Sequence, residues 1–157
     1  MAERQTTGRG PALAVGGVLT LAAALVAYWE GYRPEPYRDI VGVLTVCYGH
    51  TGDVQPRRHT RAECDALLRR DLAEANSHVR RCITRPMPEP VEAALTSATY
   101  NAGPRIVCGS RLQKKAQAGD WKGACAELSR WVYAGGQRVR GLVNRRAAER
   151  ALCESYR

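Results

Sequence analysis

A chain of 157 residues is long enough for one domain, or for one domain of two small lobes, with a real buried core. Apolar residues make up 45% of it, which excludes a disordered chain, and six cysteines without a C-x-x-C pair argue against the common zinc and thioredoxin-type motifs. The balance of 24 Lys+Arg against 15 Asp+Glu, net +9, favours anionic partners, yet there is no run of five basic residues and no zinc-finger or RNA-binding fingerprint, so nucleic acid is not expected.

The first element is apolar. Ala12 to Tyr28 carries no charge. As a helix it would be ~26 Å long, marginal against a ~30 Å hydrocarbon core. Arg4 and Arg9 precede it. Four readings remain open: a cleaved signal peptide with Ala22-Ala23-Ala24 as the cutting site, a permanent but weak anchor, an ordinary buried helix, or a segment that is inserted by the secretion machinery and later leaves the bilayer. The Ala, Gly and Thr content weakens insertion and suits the last reading. Six cysteines behind such a segment point to an oxidising compartment and up to three disulfides.

Glu30 lies at the end of this first helix, which Arg33-Pro34-Glu35-Pro36 should terminate. Asp39 to Gly49 then reads as short strands, with Val41, Val43, Val46 and Tyr48 as β-formers interrupted by Gly42. Thr51-Gly52-Asp53 is a turn, and Thr60-Arg61-Ala62-Glu63 is a capping box opening a helix to about Cys82. Pro86, Pro88 and Pro90 mark a break, with Pro90 suited to the first position of the next helix. Val91, Ala94, Leu95 and Ala98 form its buried stripe, and Gly103 ends it. Further helices are expected at about 110–118, 121–133 and 140–155, punctuated by Gly119 and Gly135-Gly136. The pattern is α+β: a small β-containing N-terminal lobe, a larger helical C-terminal lobe, and a cleft between them as the natural binding site.

Glu30, Asp39 and Thr45 bring two carboxylates and a hydroxyl close together in this chain. Hydrolysis of a glycosidic bond needs a carboxylic acid to protonate the leaving oxygen, and a second carboxylate to activate water or stabilise positive charge. A hydroxyl can hold that water. On composition alone, a helix-end glutamate and a turn aspartate explain the same residues.

The order of the residues is more specific. Glu30, Asp39 and Thr45, followed by Val46-Cys47-Tyr48-Gly49-His50, resemble the phage-type (T4-type) lysozymes, glycoside hydrolase family 24. Thr60 to Asp71 resembles the start of that family's interlobe helix, and Tyr100-Asn101-Ala102-Gly103 the end of its central helix. Ser129-Arg130-Trp131 and Gly141-Leu142-Val143-Asn144-Arg145-Arg146 are similar to its C-terminal motifs, so the likeness covers about residues 28–156. It implies a lysozyme-like two-lobe fold in which Glu30 is the general acid, Asp39 steers water or charge, and Thr45 helps it. It further implies that Asn101 faces the sugar, that Arg145 lies near Glu30, and that His50 and Asp71 form a structural pair between sheet and long helix. A guanidinium favours the ionised carboxylate whereas an acid must hold its proton, so burial has to work against that charge.

The resemblance also explains the apolar segment. In the signal-anchor-release endolysins of this family a weak anchor directly precedes the catalytic glutamate; only Trp29 separates Tyr28 from Glu30 here. The anchor contains no cysteine, so activation by thiol exchange from it is not supported. The lobes suggest neighbour pairing of the cysteines, Cys47–Cys64, Cys82–Cys108 and Cys125–Cys153, whereas a bridge from Cys47 to the helical lobe would cage the cleft.

The expectation is an endolysin that cleaves the β-1,4 bond between N-acetylmuramic acid and N-acetylglucosamine in peptidoglycan, without cofactor or metal, as a monomer. It has an N-terminal signal-anchor-release segment at 1–28 and a catalytic domain at 29–157. It is held first at the inner membrane facing the periplasm and is then soluble in the periplasm. The rivals are a lytic transglycosylase, and an inactive, membrane-tethered wall-binding protein.

Overall fold

The computed structural model describes residues 10–157. Arg4 and Arg9 therefore lie outside the described residues. The first helix, α1 (Gly10–Glu30), runs through position 28 without interruption and delivers Glu30 at its last turn. Val18, Ala22 and Val26, four apart, are buried, because positions i and i+4 share a helix face. Leu19, Ala23 and Ala27 pack beside them against Val46, Tyr48, Leu68 and Leu72. Gly17 lets Glu89 approach: a Cβ there would lie 2.8 Å from the Glu89 Oε2. Among the described residues, no helix is long and apolar enough to cross a membrane.

The sheet differs from the expected one. Pro34 and Pro36 do not merely stop the helix; they lie inside strand β1 (Arg33–Arg38). Among the described residues this is an edge strand pairing only with β2 (Leu44–Cys47), and its register slips between Arg33 and Tyr37, where the prolines stand. An edge strand with a bulge tolerates the missing N–H groups, which is why proline fits there. Asp39 to Val43, expected as strand, is instead the connecting turn. Asp39 Oδ1 accepts from the N–H groups of Val41 and Val43 at 3.0 and 2.8 Å, which ties the chain back on itself. The two-residue β3 (His50–Thr51) completes the sheet in the order β1-β2-β3.

Helix α2 (Arg61–Cys82) opens with the expected capping box: Thr60 Oγ1 accepts from Glu63 N–H, and the Glu63 carboxylate accepts from Thr60 N–H. Helix α3 (Glu89–Ala102) begins one residue before Pro90, which occupies its second position. It is the axis of the larger lobe, packed by α1, α2 and α6 (Arg140–Cys153). Its core joins Val91, Leu95 and Ala98 to Val79, Ile83, Ile106, Leu112 and Leu128. Between α3 and α6 come a 3-10 turn (Pro104–Ile106), α4 (Arg111–Gln117) and α5 (Trp121–Glu127).

The helix expected over 121–133 stops at Glu127. It gives way to a 3-10 turn and a hairpin, β4 (Tyr133–Ala134) and β5 (Gln137–Arg138). Gly135 and Gly136 both have positive φ, 57° and 76°, and two such residues close a tight hairpin rather than continue a helix. The larger lobe is thus helical apart from this hairpin. All six cysteines are paired as neighbours, Cys47–Cys64, Cys82–Cys108 and Cys125–Cys153, so Cys47 ties the sheet to α2 and does not reach the helical lobe.

Candidate active site

A cleft of about 440 Å³ lies between the sheet and the helical body. Its lining comes from the end of α1 (Glu30), the sheet (Gly49, Thr51), α2 (Asp71, Glu74, His78) and the end of α3 (Thr99 to Asn101). Glu30 is the one carboxylate that α1 contributes there, and its side chain is 25% exposed. It enters because the helix ends at that residue: Gly31, with φ of 71°, turns the chain away into β1.

Two neighbours fix the Glu30 carboxylate. Arg145 Nη1 donates to Oε1 at 2.8 Å. On the other side Gly49, φ 80°, presents bare backbone: a Cβ there would lie 3.0 Å from Glu30 Oε2. Only glycine meets both the left-handed conformation and the close approach. The Tyr100 hydroxyl donates to the Tyr48 carbonyl and so pins this turn to α3. Burial, and then the Glu30 and Asp71 carboxylates, push the Tyr100 phenol well up from its ordinary value, which keeps its proton on and the hydrogen bond in place. His50 and Asp71 do link sheet to long helix, with Nδ1 and Oδ2 2.6 Å apart.

Asn101 lines the cleft. Its Oδ1 accepts from Arg146 Nη2 at 2.8 Å, which leaves its Nδ2 free to donate towards a ligand. Arg145 is 5% exposed and serves Glu30 as a partner more than it offers a surface to substrate. Asp39, in the turn between β1 and β2, and Thr45, on β2, form a second group outside the lining of this cavity. They are joined through one peptide: the Val43 carbonyl accepts both from Asp39 N–H, at 3.0 Å, and from Thr45 Oγ1, at 2.9 Å. Glu30 and Arg145 therefore meet directly and Asn101 shares the cleft lining with Glu30, whereas Asp39 and Thr45 come together with each other. Among the described residues no cluster of metal-ligating side chains is present.

Arg146 and Glu149, to which the sequence reading gives no role, lie behind Asn101 and Arg145. Their spacing on α6 was the available signal, since residues three and four apart share a helix face.

The small bulged sheet, the long helix joining it to a helical body, and a cleft with a glutamate at a helix end define a lysozyme-type glycoside hydrolase. The chain belongs to the phage lysozyme family, whose sequence profile matches residues 27–149. It is 45% identical over 146 residues to a SAR-endolysin of Bacteriophage PS119, covering 88% of this chain and 87% of that one. It is 44% identical over 146 residues to a SAR-endolysin of Enterobacteria phage P21, covering 92% and 88%. Among solved structures it is similar to the active form of the P1 phage endolysin Lyz, with a TM-score of 0.80 at 28% identity, covering 90% and 92% of the two chains. The protein is accordingly a glycoside hydrolase with peptidoglycan as its substrate class, a lytic muramidase that serves host-cell lysis.

Proposed function

We propose that Glu30 is the general acid that protonates the leaving oxygen of the β-1,4 bond between N-acetylmuramic acid and N-acetylglucosamine. Asp39 directs water or stabilises charge on the other side of the sugar, Thr45 orients that water, and Asn101 donates to the sugar through Nδ2. Arg145 holds Glu30 in place. No cofactor or metal takes part, and the enzyme acts as a monomer.

The observation that carries this reading is the position of Glu30: it projects from the last turn of the apolar helix into the cleft, against Gly49 and Arg145. The same observation supports the membrane half of the proposal. Residues 1–28 tether the new protein to the inner membrane on its periplasmic side, with Glu30 held at the bilayer surface away from Gly49 and Arg145. Once the segment leaves the lipid, Val18, Ala22 and Val26 bury against residues 29–157, and Glu30 enters its site by the same movement. The two relatives named SAR-endolysins support this sequence of events. Gly16, Gly17 and Thr20 dilute the apolar surface and favour the exit.

The test is wall clearing by the soluble enzyme. Glu30→Gln keeps shape and removes the proton donor, and is expected to lose at least ~10²-fold in rate. Asp39→Asn should also be severe, and Thr45→Val milder. Near-wild-type turnover by Glu30→Gln refutes the assignment of the acid, and 1,6-anhydro ends on the released muramic acid refute hydrolysis.

A further inference from the structure

Behind the cleft lies a carboxylate that touches neither substrate space nor solvent. Glu149, on α6, is wholly buried, and so is Arg146 at 1% exposure. Arg146 Nε lies 2.6 Å from Glu149 Oε2, and Arg146 Nη2 donates to Oε1 at 3.1 Å. Arg145 Nε is 3.6 Å from the same Oε1, and Ser97 Oγ of α3 donates to it at 2.8 Å. Each of the two guanidiniums then reaches forward. Arg145 holds Glu30, and Arg146 holds Asn101.

Resting on the assignment of Glu30 as the acid, we propose that Glu149 is a positioning residue: one buried carboxylate that anchors Arg145 and Arg146 together and thereby sets both the electrostatic field at Glu30 and the orientation of Asn101. A pair of adjacent guanidiniums buried without a counter-charge repel each other and have lost their hydration. Burial pushes the Glu149 carboxyl up and the Arg146 guanidinium down, so each charge depends on the other. With Glu149 ionised, the three groups carry one net positive charge between them, and that is the charge facing Glu30. Removing the anion doubles it. The other charged or titratable groups near Glu30 are Tyr100 from α3, Asp71, Glu74 and His78 from α2, and His50 from β3. None of them touches Glu149.

The sign of the effect follows. A more positive surrounding favours the carboxylate form of Glu30, so the acid loses its proton at lower pH. In the full-length soluble enzyme, Glu149→Gln should move the alkaline limb of the kcat/KM profile on peptidoglycan about one pH unit to the acid side. Arg146→Met removes a positive charge and releases Asn101, so the limb should move the other way while KM rises. The double variant restores the net charge without restoring the grip on Asn101. Its limb should return to the wild-type position, with KM still raised. A purely structural Glu149 would lower the amount of folded enzyme and leave all the limbs where they are.

Thermal melts identify the folded variants. If Glu149→Gln does not fold, the comparison of Arg146→Met with the double variant carries the test, and the limb of the double variant must lie at lower pH. An unmoved limb in folded Glu149→Gln, or coincident limbs for Arg146→Met and the double variant, overturns the proposal. Inactive Glu30→Gln beside unmoved limbs overturns this inference alone, whereas active Glu30→Gln removes the reading on which it rests.

Discussion

Replacing Gly16 by leucine tests whether the apolar helix exchanges between lipid and protein. In the released fold Gly16 is exposed, and a Cβ built on it meets no atom within 4 Å. Leucine there gains no burial and meets no clash. In the bilayer the same side chain leaves water, which contributes about 2 kcal/mol. The whole of that difference acts on the partition, shifting it about 30-fold towards the membrane. Gly17→Leu should act in the same direction: its Cβ would lie 2.8 Å from Glu89 Oε2, but Glu89 is exposed and its flexible end can swing aside. The assay is fractionation of expressing cells into membrane and periplasm, with the ratio of full-length protein read in each and wall clearing measured on the soluble part. Wild-type protein should appear in both, active only when soluble, and its release should quicken when the membrane potential is collapsed. Gly16→Leu should remain with the membrane and delay lysis. A wild-type ratio for Gly16→Leu refutes the exchange. So does a soluble species whose intact mass places its first residue near Leu25 or Tyr28, since that means ordinary signal cleavage.

Val26→Ala removes two methyl groups from a fully buried position of α1 and should cost about 2 kcal/mol, lowering the Tm of the released enzyme by about 4–8 °C. A calorimetric melt within about one degree of wild type would mean that α1 does not depend on this face. At acid pH the exposed Glu63 gives a signed prediction. Hydrogen bonds first from Arg57 and then from the Thr60 N–H hold its carboxyl down to about 2, from an ordinary 4.5. The stability it contributes is therefore complete above pH about 4.5 and is lost as pH falls through about 2. Glu63→Gln should flatten that part of the stability-pH curve, and an unchanged slope in acid titrations would show that the capping box does not act through this charge.

The sequence by itself determined the elements whose signals are local. The capping box at Thr60 to Glu63 marks α2 because both partners lie within one turn. Gly103 ends α3 because a positive φ is needed there. Glu30, Asp39 and Thr45 suggest the reaction only through their resemblance to the phage-type lysozymes, and the family membership agrees with it. The lobes suggested the neighbour pairing of the cysteines without fixing it, since four cysteines in the helical lobe can pair in three ways, and the fold selects Cys82–Cys108 and Cys125–Cys153. Where the sequence misled, strand pairing in one place and a side-chain-to-backbone turn in the other overruled the simple pattern. Pro34 and Pro36 are helix stops in isolation, but an edge strand with a slipped register accommodates them. The hydrophobic residues after Asp39 look like a strand, yet the Asp39 carboxylate binds their N–H groups and makes them a turn, leaving Ile40 and Val41 exposed. Tertiary structure brings the Gly49 backbone to Glu30 from 19 positions away. The Arg145–Glu30 pair, across 115 positions, is expected from the family resemblance and from no local signal in the chain. Glu149 is one more acid on a helix until Ser97, 52 residues earlier, and two guanidiniums close around it. Periodicity can place such residues on a face of a helix, but whether a charge is buried or solvated depends on what packs against that face.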